Sequence, residues 1–89
     1  MVKKIRLQTH DGSKKYLEEI EGRPNQYKLV CAIDFLRGGS LPDGKEFIDP
    51  SGGPMIVVGN PLEDYDSITH IVKRISNEKG IGTVITLDP

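Results

Sequence analysis

The sequence predicts a single α+β domain spanning residues 1–89. About five to six mostly antiparallel strands form a curved sheet or a partly open barrel, with one amphipathic helix packed against it. Three observations predict this class: apolar and polar residues alternate near the N-terminus, glycines and prolines separate several short apolar runs, and one long segment has helical apolar spacing. A hydrophobic fraction of 36% with 28% charged residues is typical of a globular chain.

The N-terminal segment predicts a hairpin. Within residues 2–9, Ile5 and Leu7 alternate with polar residues, as in a strand with one buried face. The Asp11-Gly12 pair that follows favours a reversal of the chain. Residues 14–21 fit either a strand or a short helix, and the first strand's need for a partner favours the strand.

The middle of the chain predicts short strands joined by loops. Residues 26–35 are the best candidate for a central strand because most of them are apolar. Residues 37–44 are expected to form a loop or wide turn. Short strands are expected at 46–48 and 55–59, with a tight loop at 51–54 between them.

The segment 64–79 predicts the helix, and residues 81–87 predict a final β-branched strand. Projected at about 100° per residue, five apolar residues of the helical segment share an arc of about 120°. These residues are Tyr65, Ile68, Ile71, Val72 and Ile75. Ile71 and Ile75 lie on this arc, so we expect them in the core. His70 is expected on the outer face.

Charge and cysteine content exclude several function classes. The net charge is −1, with +3 on residues 1–30 and −4 on the remainder, whereas nucleic-acid binders concentrate far more positive charge. No segment reaches the ~18 consecutive apolar residues of a membrane span. The single cysteine, Cys31, cannot form an intramolecular disulfide, which favours a reducing, cytoplasmic location.

A glycine-containing segment has the spacing of a phosphate-binding P-loop. Residues 39–45 match that spacing, but Glu46 follows where the motif has Ser or Thr. The motif also requires a helix that begins at the lysine, and Asp49-Pro50 lies too close downstream for a helix to continue. We therefore expect a turn between two strands here. The histidines and acidic residues show no metal-ligand spacing, and no cofactor is predicted.

Residues 49–54 read Asp-Pro-Ser-Gly-Gly-Pro. This resembles the Gly-Asp-Ser-Gly-Gly-Pro signature around the nucleophile of chymotrypsin-like proteases, with a match at residues 51–54 and with Pro50 where that family has Asp. The resemblance covers six residues and implies Ser51 as a nucleophile. A protease of that kind needs a second barrel to supply the other catalytic residues, and 89 residues cannot build two barrels. We therefore predict no enzyme and no catalytic residue.

The same loop suggests a binding site for a small anionic ligand. Gly52 and Gly53 can present successive backbone N–H groups to a phosphate or carboxylate, with Asp49 and the Ser51 hydroxyl beside them. The alternative is a strand connection in which the glycines only supply special backbone angles. A metabolite or nucleotide held at this loop is the second functional hypothesis.

The leading hypothesis is a small, intracellular, non-catalytic binding or regulatory protein that contacts a macromolecular partner, most simply another protein, as an inhibitor or adaptor. A few aromatic and arginine residues carry most of the binding energy at protein interfaces. Tyr27, Arg37 and Tyr65 are the candidate interaction residues.

Overall fold

The computed structural model describes residues 3–31 and 36–89, with the backbone only at Leu36 and Arg37. The described residues form nine strands in two antiparallel sheets and contain no helix. The strands are β1 (Lys4–Arg6), β2 (Lys15–Glu19), β3 (Gln26–Cys31), β4 (Leu36–Ser40), β5 (Glu46–Pro50), β6 (Ile56–Val57), β7 (Pro61–Glu63), β8 (Thr69–Glu78) and β9 (Gly82–Leu87).

The larger sheet has the order β1-β2-β3-β9-β8-β7 and is curled. Consecutive hairpins join β1, β2 and β3, and their register places Leu17 opposite both Ile5 and Leu29. The C-terminal strand β9 enters between β3 and β8. The two ends of the sheet meet where Leu7, just after β1, pairs with Asp64, just after β7.

The smaller sheet has the order β4-β5-β6 and places two of its side chains in the common core. Ile48 of β5 and Ile56 of β6 are opposite each other in the register and are both buried. The core otherwise consists of aliphatic side chains from the larger sheet and one tyrosine. Its buried members are Ile5, Leu7, Leu17, Tyr27, Leu29, Ile48, Ile56, Leu62, Val72, Ile85 and Leu87.

The α+β prediction is wrong, because segment 64–79 forms a turn followed by the long strand β8. Asp64 accepts backbone N–H groups from the turn, and Ser67 adopts a left-handed φ of 65° that a helix does not contain. The residues that follow are rich in β-branched side chains, which favour a strand. Local turn chemistry and strand propensity together overrule the helical spacing.

A β-bulge explains why the apolar spacing resembled that of a helix. The register shifts between Val72 and Arg74, so that one extra residue changes the alternation of side chains along β8. Val72 and Ile75, three residues apart, therefore both pack on the core. Ile71 lies on the other face and is 42% exposed, so its assignment to the core is wrong. Ile75 is partly buried against the core, as expected.

The other elements agree better with the sequence. Strands at residues 14–21, 46–48, 55–59 and 81–87 are confirmed within a few residues by β2, β5, β6 and β9. The predicted strand 26–35 is confirmed as far as Cys31, and residues 32–35 lie outside the described residues. Half of the loop expected at 37–44 is instead strand β4.

Candidate functional site

The two ends of the curled sheet are joined by polar contacts, which build the first part of the site. The N–H of Tyr65 donates to the carbonyl of Arg6 over 2.8 Å. The side-chain amide of Gln8 donates to the carbonyl of Asp64 over 2.8 Å and to the carboxylate of Glu63 over 3.1 Å. The turn that carries Tyr65 is therefore fixed to the segment that follows β1.

Asp64 organises this turn from a nearly buried position. Its carboxylate oxygen Oδ1 accepts the N–H groups of Asp66 at 2.9 Å and Ile68 at 3.0 Å. Its Oδ2 lies 2.9 Å from Nε2 of His70, which is half-buried at the start of β8. Asp64 is only 5% exposed, so these three partners compensate for the water that the carboxylate loses.

The hydrogen bonds of Asp64 also set its protonation. Burial by itself would raise the pKa of the Asp64 carboxyl, but the hydrogen bonds from His70, Ile68 and Asp66 outweigh burial and lower the pKa below its usual range. The carboxylate is consequently charged at neutral pH and holds the turn in one conformation.

Tyr65 and Arg6 form a stacked pair on the outside of this junction. The guanidinium carbon of Arg6 lies 4.0 Å from the centre of the Tyr65 ring, a cation–π geometry. Tyr65 remains 55% exposed. The pair borders a cleft of about 350 Å³ that is also lined by residues 7–9 and Gly12. We call this place the seam cleft.

Two further exposed apolar side chains follow Tyr65 closely in the sequence. Ile68, in the same turn as Tyr65, is 57% exposed, and Ile71 on β8 is 42% exposed. Three large apolar side chains within seven residues are thus open to solvent. The backbone that carries Ile68 is fixed twice, because its N–H donates to the Asp64 carboxylate and its carbonyl accepts the N–H of Asp64.

The far side of the seam cleft is the connection between β1 and β2, which contains a polar network. Lys15 is only 4% exposed, and its ammonium donates to the hydroxyl of Ser13. The N–H of Ser13 donates to Oδ1 of Asp11 over 2.9 Å. The Ser13 hydroxyl and N–H lower the pKa of the Asp11 carboxyl, and the charge of Lys15 lowers it further. The network gives the buried ammonium its counter-charge.

This connection packs directly on the loop that was predicted to bind an anion. The N–H of His10 donates to the carbonyl of Gly52 over 2.7 Å, and the N–H of Gly53 donates to the carbonyl of Pro50 over 2.9 Å. A Cβ atom on Gly52 would overlap the carboxyl group of Asp11, and one on Gly53 would overlap the ring of His10. The two glycines therefore permit close approach of the β1–β2 connection.

These contacts bear on the anion hypothesis. Asp49 is half-buried in β5, and Ser51 is exposed at the start of the loop. The Gly53 N–H already donates a hydrogen bond to Pro50 inside the loop, and the carboxylate of Asp11 lies against Gly52. A negative charge at that position opposes the binding of a phosphate or carboxylate. No contact among the described residues favours this hypothesis over the protein-binding one.

The three candidate interaction residues lie in different places. Tyr65 borders the seam cleft. Tyr27 belongs to the core, is 5% exposed and has a pKa raised by burial and by Glu19, so it offers little surface to a partner. Arg37 lies in β4, and its side chain is outside the described part of the chain.

Sequence reasoning missed Arg6, Asp64 and His70 as parts of the site. The helix assignment placed Asp64 at a helix start and His70 on a solvated face, which concealed their pairing. A signal was nevertheless present, because Asp64, Asp66 and Ser67 have the composition of a turn and precede a β-branched run. Nothing local to the sequence links Arg6 with Tyr65, since their contact depends on curling of the sheet.

Comparison of the chain with protein-family models, with curated proteins and with solved structures finds no match. Over residues 3–31 and 36–89 there is no helix that is long and apolar enough to cross a membrane. Among the same residues, no three metal-ligating side chains come together.

Proposed function

We propose that the protein is a non-catalytic binding protein that contacts a protein partner through the seam surface, defined as Arg6, Tyr65 and Ile68. The stacked Arg6–Tyr65 pair beside the seam cleft is the observation that supports this proposal. Tyrosine and arginine are enriched among the residues that dominate binding energies at protein interfaces. An exposed aromatic ring beside a cleft offers a partner both apolar area and a hydroxyl for hydrogen bonding.

The turn that carries Tyr65 is also held in place by hydrogen bonds. Asp64 holds the residues on either side of Tyr65 through hydrogen bonds from Asp66 and Ile68, and its own pKa favours the charged form that accepts them. A surface that is ordered before binding loses less conformational entropy on association. The seam surface therefore has the composition and the order expected of an interface.

A catalytic alternative is less well supported by the same geometry. Ser13 is the hydroxyl with the most developed surroundings, between the Lys15 ammonium and the Asp11 carboxylate. A carboxylate with a lowered pKa is a weak base and is poorly suited to remove a proton from a hydroxyl. The network is better explained by neutralisation of a buried lysine. Cytoplasmic location and a regulatory role, as inhibitor or adaptor, complete the proposal.

Site-specific photo-crosslinking tests the proposal in the host cell. A photoreactive amino acid is placed at position 65 and, as the matched control, at position 43 in the exposed β4–β5 turn of the smaller sheet. We expect one protein to be captured from position 65 and not from position 43. Equal capture from both positions, or none from position 65, would contradict the proposal.

Binding to the captured protein is then measured with purified components. Tyr65→Ala and Arg6→Ala are each expected to raise the dissociation constant at least tenfold, whereas Asp43→Ala should leave it unchanged. Melting curves check that the variants fold. Wild-type affinity in both seam variants would remove the seam surface from the interface.

A further inference from the structure

Strand β8 has one edge that is only partly occupied. Its first residues, Thr69–Ile71, pair with β7, and residues 72–78 pair with β9 on the opposite side. The edge opposite β9 is occupied at Val72 by backbone hydrogen bonds with Gly59 and Asn60. From residue 73 to residue 77, no strand of the described chain pairs with this edge.

The register shows which backbone groups face outward along that edge. The N–H of Leu87 donates to Asn25, away from β8, so the alternate β9 residues Thr86 and Val84 direct their backbone groups toward β8. Arg74 and Ser76, which lie opposite these two residues in the register, therefore direct their own backbone groups toward β9. Ile75 and Asn77, which alternate with these partners, direct their N–H and carbonyl groups away from β9.

These outward groups face a groove of about 580 Å³. One wall is residues 75–77 of β8, and the other is formed by the β4–β5 hairpin, with Phe47 and Ile48 beside the small residues Gly38 and Gly39. Strands β5 and β8 lie close together without pairing. The hydroxyl of Ser76, which also lines the groove, is buried without a hydrogen-bond partner.

Basic side chains flank this edge at both ends. Lys73 and Arg74 precede the groove and Lys79 follows it, and all three are exposed. Neither of the ion pairs among the described residues, Arg23–Glu78 and Asp64–His70, involves them. The carboxylate of Glu46 lies on the opposite wall. A ligand lying along β8 would therefore gain from negative charge at the end that reaches Lys73 and Arg74.

We propose that this groove, which we call the β8 groove, binds an extended acidic segment of a protein partner as an added strand on β8. The backbone groups of Ile75 and Asn77 pair with the segment, its apolar side chains contact Phe47 and Ile75, and its acidic residues lie over Lys73 and Arg74. The free edge of five residues matches a segment about 17 Å long. This proposal does not depend on the seam surface.

Selection from a library of random heptapeptides displayed on phage provides the probe. We expect the selected peptides to alternate β-branched and acidic residues, and one of them is then synthesised. Its affinity should fall at least tenfold for the double variant Lys73→Glu/Arg74→Glu. Lys14→Glu/Lys28→Glu, the same change in charge at two exposed lysines outside the groove, should leave the affinity unchanged.

Amide hydrogen exchange then tests the pairing itself without any substitution in the protein. In the free protein, the amides of Ile75 and Asn77 should exchange faster than those of Arg74 and Ser76. The synthetic peptide should slow Ile75 and Asn77 at least tenfold. N-methylation of one alternate set of peptide residues should abolish binding, while N-methylation of the other set preserves it.

Asn77→Pro provides a protein-side test, because it removes an outward N–H that pairing with β9 does not use. We expect this variant to fold but not to bind the synthetic peptide. Selection of no peptide, selection of basic peptides, or binding that leaves the Ile75 and Asn77 amides unprotected would overturn the proposal. It would also be overturned if those amides became protected with rising protein concentration alone, since the occupant would then be a second copy of the chain.

Discussion

Two of the turns that share an aspartate motif lie in different surroundings. In the β1–β2 connection, Asp11 accepts the N–H of Ser13, and in the β7–β8 turn, Asp64 accepts the N–H of Asp66, each through Oδ1 and over 2.9 Å. Asp11 is exposed, whereas Asp64 is 5% exposed and has two further partners in Ile68 and His70. The same local signal thus closes a surface turn in one place and joins the two ends of the sheet in the other.

An aspartate turn becomes a structural anchor when the rest of the fold covers it. Asp64 lies where Leu7 pairs across the closure of the curled sheet, so its hydrogen bonds support long-range contacts. Asp11 acts through a neighbouring element instead, because its carboxyl group lies against Gly52 in the 51–53 loop. Three predictions test this contrast.

Asp64→Ala should destabilise the protein more than any other substitution considered. The substitution leaves the amides of Asp66 and Ile68 and the ring of His70 without their acceptor, and should lower the free energy of unfolding by about 3 kcal/mol. Asp11→Ala should cost less, because water replaces the lost acceptor at an exposed site. Urea unfolding followed by circular dichroism measures both.

Asp66→Ala is the control for Asp64→Ala, since Asp66 is an exposed residue of the same turn, and it should cost less than about 0.5 kcal/mol. If Asp11→Ala destabilised the protein as much as Asp64→Ala does, burial would not be what distinguishes the two turns.

An intermediate effect is expected where Asp11 meets the 51–53 loop. Gly52 and Gly44 share a φ of 87°, but a Cβ on Gly44 meets no atom within 4 Å, whereas one on Gly52 overlaps the Asp11 carboxyl. Gly44→Ala should lower the free energy of unfolding by about 1 kcal/mol from backbone strain alone. Gly52→Ala should lower it by about 1 kcal/mol more. Thermal unfolding at matched protein concentrations gives the comparison.

The excess cost of Gly52→Ala should shrink when Asp11 is also replaced by alanine, because the overlap then disappears. A double-mutant cycle over the four proteins measures this coupling. Equal costs for Gly52→Ala and Gly44→Ala in the wild-type background would show that the contact with Asp11 is not tight.

The parts of the fold that follow local rules were predictable. Strand β1 combines strict alternation with the turn dipeptide that follows it, and Ile5 and Leu7 are buried as that pattern requires. The β7–β8 hairpin does not follow such rules, because its bulge places Val72 and Ile75 on one face at a spacing that also fits a helix. A single inserted residue in a long strand changes the period on which the prediction relied.

The candidate site was predictable only in part for the same physical reason. Tyr65 stands out by its residue type, and the structure leaves it exposed. Its partner Arg6 is far away in sequence and meets it only through closure of the sheet. The outward direction of the backbone groups of Ile75 and Asn77 depends on strand order and register. Neither could be inferred while residues 64–79 were assigned to a helix.

The smallest expected effect is on the dependence of stability on pH. The pKa of Asp64 is lower in the folded protein than its usual value, so the folded state favours the carboxylate. Stabilisation from this group is complete above the unfolded-state pKa of about 3.9 and is lost as the pH falls through the lower folded-state value. Asp64→Asn should therefore destabilise the protein at pH 7 by an amount that shrinks at pH 3.

Asp11 provides the comparison within the same experiment. Its pKa is also lowered, chiefly by the Ser13 hydroxyl, so Asp11→Asn should show the same sign. Solvent competes for the exposed Asp11 carboxylate, so its change between pH 7 and pH 3 should be smaller than that of Asp64→Asn. Urea unfolding at the two pH values measures both differences. A larger pH dependence for Asp11→Asn would place the stronger electrostatic anchor at the surface turn and reverse the contrast between the two aspartates.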